Sequence, residues 1–346
     1  MKVVSEFSDN IEVEAMFYEK QLGNMVQCNL CNHHCRISHG NRGICGVREN
    51  KSGTLYSLVY GKLISRALDP IEKKPLFHFI PGSLAYSIAT IGCNFRCKNC
   101  QNWEISQSPK PHNPITGRKT SPEEIVKTAE QMDCKSIAYT YTEPVIFMEY
   151  AYDTAKLAVE KGMKNIFVTN GYITEDALRE IAPYLHAANI DLKSFSDKFY
   201  KENCRASIEP VLEAIKLHKQ IGIWIEITTL VIPNVNDSEE NLTNIAEFIV
   251  NIGEEIPWHV SRFYPAYELI DLPPTPIRTL RRARDIGLKA GLRYVYLGNV
   301  PGEGENTHCY NCNKRLIERH GYRIVENRIV EPACPVCGAE IEGVWI

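Results

Sequence analysis

Short runs that are apolar on both faces recur through the middle of the chain, each followed by a stretch carrying helix-start signals. The runs cover 85–92, 136–142, 165–170, 187–194, 224–232 and 258–264, and a seventh covers 293–300. They are rich in Val, Ile, Thr and Tyr, as strands buried under helices are. Between them, Ser121-Pro122-Glu123-Glu124 offers an N-cap, a proline at the first helical position and acids in the first turn. Thr174-Glu175-Asp176 and Asp237-Ser238-Glu239-Glu240 are similar starts. Repeated β-α units predict a parallel sheet with right-handed crossovers, curled into a full or partial barrel. In such folds chemistry sits at the carboxyl ends of the strands.

Before and after this region the pattern changes. Residues 1–80 read as an irregular preface with His, Gly and Asn around a first group of cysteines, and 301–346 read as a separate small module. The expected division is therefore 1–80, a Cys-rich metal-binding segment; 81–300, the barrel; and 301–346, a four-cysteine module.

Composition adds exclusions. The net charge of −3 provides no global basic field, so nucleic acid is not an expected partner. The first twenty residues carry charges where a secretion signal needs an apolar stretch, and no run approaches a membrane span. The expected setting is cytoplasmic, where thiols stay reduced.

Against that background thirteen cysteines are many. All but Cys134 and Cys204 fall in three tight groups: Cys28, Cys31, Cys35 and Cys45; Cys93, Cys97 and Cys100; Cys309, Cys312, Cys334 and Cys337. Disulfides need no such clustering, whereas a metal must be reached by several thiolates at once. The central group has the spacing C-x3-C-x2-C and directly follows the first strand. Three thiolates on one tight loop can each take an iron of a cube-shaped cluster and leave the fourth iron open, the feature that separates reactive from structural sites. A zinc loop would want a fourth ligand nearby. After Cys100 come Gln101-Asn102-Trp103, and the next histidine is His112.

With these residues the chain resembles the radical S-adenosylmethionine (SAM) superfamily, and more narrowly the AmmeMemoRadiSam-system branch, similar to pyruvate formate-lyase activating enzyme. The resemblance rests on CNLCNHHCRISHGNRGICGVREN at 28–50, CNFRCKNCQNWEISQ at 93–107, YTYTEPVIFMEY at 139–150, TNGY at 169–172, NIDLKSF at 189–195, YVYLGNVPG at 294–302 and the two closing cysteine pairs. It implies a partial (β/α)6 TIM-like barrel and a 4Fe–4S cluster whose open iron chelates SAM. One electron then splits SAM into a 5′-deoxyadenosyl radical, the cofactor supplying the hard chemistry. It also implies SAM-binding roles for Thr140, Tyr141, Thr142 and Glu143 at the end of the second strand, for Asn170 after the third, and for Asp191 and Lys193 at the end of the fourth. Asp191 and Lys193 also fit a plain strand-end ion pair.

The sequence departs from the activating enzymes in two places. They carry an arginine on the fifth strand where Thr228 or Thr229 stands here, and their Pro-Tyr-His after the sixth strand reads Pro265-Ala266-Tyr267. The substrate-facing side is therefore altered.

Both flanking groups offer four thiolates. Cys28, Cys31, Cys35 and Cys45 suit zinc or a second 4Fe–4S cluster, with His33 and His34 as competing ligands. Cys309, Cys312, Cys334 and Cys337 form two knuckles joined by a hairpin pattern, as in a zinc ribbon or a rubredoxin-like mononuclear iron site. Other candidates are Cys204, read as a buried thiol or one near the reactive face; His259 and Arg262, which could hold an acidic substrate; and Tyr139, Tyr141, Phe147 and Tyr150, read as core or pocket walls. Gly302-Glu303-Gly304 reads as a turn.

The leading expectation is an enzyme that abstracts hydrogen from an unactivated C–H of a protein, a metabolite or an alkyl lipid chain, for modification or coupling. It would draw electrons from a donor such as ferredoxin or flavodoxin in an oxygen-poor setting, with peripheral membrane contact if the substrate is a lipid. The alternatives are a glycyl-radical-enzyme activating enzyme and a non-catalytic iron–sulfur or zinc binding protein.

Overall fold

The structure, a computed structural model, describes residues 12–109 and 113–345. The start of the N-terminal stretch read above for its charge, and His112, lie outside the described residues.

All seven apolar runs form strands of one sheet. In chain order these are β2 (Leu84–Ala89), β3 (Ser136–Tyr139), β4 (Lys164–Thr169), β5 (Ala187–Asp191), β6 (Trp224–Val231), β7 (Trp258–Arg262) and β8 (Val295–Gly298). Each pairs in parallel with the next. Six crossover helices link them: α1 (Pro122–Gln131), α2 (Met148–Glu160), α3 (Glu175–Ile181), α4 (Glu209–Gln220), α5 (Glu239–Ile252) and α6 (Ile277–Ala290). An eighth strand, β1 (Ser65–Pro70), pairs antiparallel with β2 at the edge. The sheet is therefore mixed, with seven parallel strands, and its edge strands β1 and β8 are not hydrogen-bonded to each other.

The helix starts follow the sequence signals with one change of partner. Ser121 and Glu124 complete a capping box, the Glu124 N–H donating to Ser121 Oγ and the Ser121 N–H to the Glu124 carboxylate. Such a cap contributes about 1 kcal/mol. Ser238 caps α5 through its side chain alone, its Oγ accepting from the Asn241 N–H. Thr174 does not cap α3: its hydroxyl donates to the Asn29 carbonyl at 2.8 Å and ties the helix start to the preface.

The preface is more regular than its sequence pattern suggests. Val13–Glu14, Arg48–Lys51 and Thr54–Ser57 make one small antiparallel sheet, and Tyr18–Gln21, Met25–Cys28 and Arg36–Ile37 another. Strands this short, interrupted by Gly and Cys turns, leave no readable period. The cysteine-rich part docks at the carboxyl end of β4, where Cys31 bridges Ile173 and the Asn32 amide donates to the Ile173 carbonyl.

Residues 71–80 instead plug the amino end of the sheet. Ile71, Leu76, Phe79 and Ile80 pack on Ala85, Ala138, Ile166 and Ala187. There the buried Glu226 carboxylate accepts hydrogen bonds from the Phe77 and His78 N–H groups, from Trp224 Nε1 and from His259 Nε2.

The tail is a three-stranded antiparallel sheet whose hairpin joins β9 (Arg315–His320) to β10 (Arg323–Asn327). It packs Leu316, Ile317 and Ile341 on Phe77, Tyr294 and Tyr296, and Val344 bridges Phe79 at the plug. Buried Arg319 donates to the Phe77 carbonyl and to Thr307 Oγ1, both at 2.8 Å. No described helix is long and apolar enough to cross a membrane.

Candidate functional site

The loop after β2 carries Cys93, Cys97 and Cys100, and its shape is held from outside as much as by its own bonds. Phe95 is buried between Tyr172 and Tyr200. The Arg96 and Lys98 N–H groups donate to the carbonyls of Cys204 and Asn203, which end a π-helical turn after β5. Asn203 adds a side-chain bond to Asn99 at 2.8 Å. Isolated π-turns are often found at functional sites; this one braces the cysteine loop. Within the loop, the Phe95 N–H donates to Cys93 Sγ at 3.4 Å, and Ser106 Oγ lies 3.2 Å from Cys100 Sγ.

The three thiols open into a cavity of about 310 Å³ at the carboxyl ends of the strands. Thr140, Tyr141, Thr142, Glu143, Asn170, Asp191 and Lys193 line the same cavity, so the fold brings together every residue to which the resemblance gave a SAM-binding role. Cys204 is absent from the lining. It is fully buried with its thiol against that of Cys97, a contact that lowers the Cys204 pKa and raises that of Cys97.

Glu143 is almost wholly buried, and its carboxylate accepts from Thr169 Oγ1 at 2.7 Å and the Asn170 N–H at 2.8 Å. Burial outweighs these bonds and pushes its pKa up to about 7. The Asn170 side-chain amide donates to Asn94 Oδ1 at 2.7 Å, joining the end of β4 to the residue after Cys93. Lys193 Nζ donates to Asp191 at 2.7 Å. Burial alone would lower the Lys193 pKa, but Asp191 and the neighbouring thiols hold it well above its ordinary value.

Several lining residues lay beyond sequence reasoning. Lys73 and Lys74 reach the cavity from the plug, and Asp69 holds Lys74 at 2.6 Å and also bonds the Tyr141 hydroxyl. Burial lowers the Lys74 pKa to about 8. Nothing local to these three residues signals a site. Asn102 is a further case: its amide donates to the Tyr141 carbonyl.

Of the other candidates, Tyr139, Phe147 and Tyr150 are core, while Tyr141 alone of the four is a cavity wall. Between the two threonines of β6, Thr228 lines the cavity, whereas Thr229 bonds the Leu192 carbonyl. His259 does not face the cavity, because it is buried against Glu226 at the other end of the sheet. Arg262 donates to the Thr275 carbonyl and is likewise outside the lining. Strand alternation did not reveal which way either points.

The two flanking groups differ in spacing. All four sulfurs of Cys309, Cys312, Cys334 and Cys337 lie within 4.8 Å of one another, with Cys309–Cys337 at 3.6 Å and Cys312–Cys334 at 3.7 Å. Four bonds of ~2.3 Å to one tetrahedral ion require sulfurs about 3.8 Å apart. The tail therefore fits a mononuclear ion, and the Ala339 N–H helps draw the Cys337 pKa down. Cys28, Cys31, Cys35 and Cys45 share an internal cavity, but no three of their sulfurs come within 4.8 Å. His33 Nε2 pairs with the Asn94 carbonyl and His34 Nδ1 with Asn29.

Comparison with known proteins completes the description. The family model described as the radical SAM superfamily matches residues 87–246. An uncharacterised protein of Methanocaldococcus jannaschii is 50% identical over 333 residues, covering 95% of this chain and 98% of the relative. The pyruvate formate-lyase-activating enzyme of Clostridium pasteurianum is 25% identical over 179 residues, covering 49% of this chain and 72% of that enzyme.

Proposed function

Residues 87–246 carry a radical SAM superfamily domain, and from that premise we propose that the chain cleaves SAM reductively and abstracts hydrogen from an unactivated C–H of its substrate. The observation that carries this reading is the single cavity shared by three thiols of one loop and the residues Glu143, Asn170, Asp191 and Lys193. The donor set fits a three-cysteine 4Fe–4S cluster: among the described residues Cys93, Cys97 and Cys100 are the thiols that line the cavity, and Cys204 lies outside it.

When bound, that cluster supplies the electron that splits SAM into methionine and a 5′-deoxyadenosyl radical. The protein's part is binding and exclusion of water. Glu143 offers a buried carboxylate to the SAM ammonium, and Lys193, oriented by Asp191, offers a point charge to the SAM carboxylate. Asn94 and Asn170 lock the cysteine loop to β4, so that these groups keep their distance from the thiols. Thr140, Tyr141 and Thr142 wall the cavity.

Thr228 sits where activating enzymes carry arginine, which favours a substrate other than a glycyl-radical enzyme: a protein, a metabolite or an alkyl chain. Likeness to the pyruvate formate-lyase-activating enzyme supports the second reading, installation of a glycyl radical on a partner. The flanking tetrads are read as metal sites, the tail as a single zinc or iron ion. The electron donor is read as a ferredoxin or flavodoxin and the setting as cytoplasmic.

The test is anaerobic reconstitution with iron and sulfide, followed by dithionite and SAM. 5′-Deoxyadenosine should form, and Cys93→Ala should abolish it in a folded protein. No product from a wild-type protein with an intact cluster would leave only a binding role. Deuterium transfer into 5′-deoxyadenosine from a labelled candidate separates a small-molecule substrate from a glycyl-radical partner.

A further inference from the structure

We propose that Cys28, Cys31, Cys35 and Cys45 hold a cube-shaped iron–sulfur cluster, not a single zinc ion, and that Arg48 is the positioning residue that compensates its charge. The inference rests on the reading of this tetrad as a metal site and does not depend on SAM cleavage.

Spacing is the first argument. This chain carries two four-cysteine groups, and among the described residues only the tail gathers its sulfurs as one tetrahedral ion requires. In the preface the four thiols surround one internal cavity while staying farther apart than that. A cube with irons at alternate corners and thiolates pointing outward needs this wider arrangement. The lining is otherwise chiefly apolar, including Leu30, Ile37, Ile44 and Ile146.

Arg48 is the second argument. It lines the cavity and is 1% exposed. Its Nη2 donates to Glu149 at 2.7 Å and to the Met16 carbonyl at 2.6 Å, but Nε and Nη1 are buried with no partner. Unpaired guanidinium donors are costly to bury. Four thiolates around a 4Fe–4S core carry a net negative charge, and their sulfurs together with the core sulfides accept hydrogen bonds, so the cluster would satisfy both nitrogens and the charge.

The site is also pressed against the SAM-cluster loop. Gly92, directly before Cys93, has φ +104°, and a Cβ there would lie 2.9 Å from the Cys45 carbonyl oxygen and 2.7 Å from Val47 Cγ1. Arg96 joins the Cys93 and Ile44 carbonyls, and His33 pairs with the Asn94 carbonyl. Glycine at position 92 lets two cysteine loops meet backbone to backbone.

The test uses the full chain reconstituted anaerobically. A triple variant, Cys93→Ala with Cys97→Ala and Cys100→Ala, should retain about four irons and four sulfides beyond any single ion in the tail, with a cubane Mössbauer signature. Adding Cys28→Ser and Cys45→Ser should remove them. Zinc without sulfide in the folded triple variant would overturn the inference, even where the wild type makes 5′-deoxyadenosine. Conversely, a cubane in the triple variant upholds it even where no SAM is cleaved. For Arg48, the pair Arg48→Met with Glu149→Gln avoids stranding a buried carboxylate. It should keep the iron and lower the cluster's reduction potential, with Arg48→Lys falling between. An unchanged potential in both variants would overturn the role of Arg48, and the triple variant decides the metal should the Arg48 variants fail to fold.

Discussion

Burial pushes the Glu143 carboxyl up to about 7, against the lowering effect of its bonds from Asn170, Thr169 and Val145. Its folded pKa thus lies above the ordinary value of 4.5, and the folded protein holds the extra proton between the two. The stability this group contributes is fully present below about 4.5 and declines as pH rises toward 7. Binding runs the other way, because an ammonium pairs with the ionised form. SAM affinity, measured by anaerobic equilibrium dialysis between pH 5.5 and 7, should rise by up to ~10-fold per pH unit. Glu143→Gln should flatten that slope and weaken binding near pH 7 by roughly 10- to 100-fold. A slope that survived the substitution would assign the titration to another group.

Among the elements, the tail module is the one whose role its position decides. Its four thiols sit on turns flanking a short antiparallel sheet that packs toward the amino ends of the strands, on Phe77, Tyr294 and Tyr296. The cavity with Cys93, Cys97 and Cys100 lies at the opposite ends. So placed, a metal ion held there would serve as a staple for a segment with little core of its own. Substituting the two exposed ligands, Cys312→Ser with Cys337→Ser, should remove one metal ion by elemental analysis and lower the thermal midpoint. Formation of 5′-deoxyadenosine per central cluster should persist. Its loss with that cluster intact would mark the tail as part of the electron path.

The whole molecule is joined through Glu226. Four donors converge on this carboxylate from the plug, β6 and β7. His78, which burial keeps neutral with a pKa near 3, continues the network to Tyr296 and the Glu342 carbonyl. Arg319 adds the tail to the same plug. Glu226→Ala should therefore cost about 3–5 kcal/mol, the range for breaking a buried polar network by removing one partner. Limited proteolysis should then open the chain near both 71–80 and 301–346. Cleavage at only one of these would show that the network does not couple them.

The chain's repeating pattern of two-faced apolar runs and helix caps by itself determined the seven strands and their parallel pairing. Those are local properties: backbone hydrogen-bonding period and capping depend on residues a few positions apart. Cysteine spacing likewise marked three groups of thiols, because residues on one loop are neighbours in sequence. Which of Thr228 and Thr229 enters the cavity, that His259 turns to Glu226, that Lys74 and Asp69 reach Tyr141, and how far apart each set of sulfurs stands were decided only by the tertiary structure. These depend on strand register, on a plug entering from a distant segment and on backbone approach at Gly92, where contacts join residues dozens of positions apart and leave no period to read.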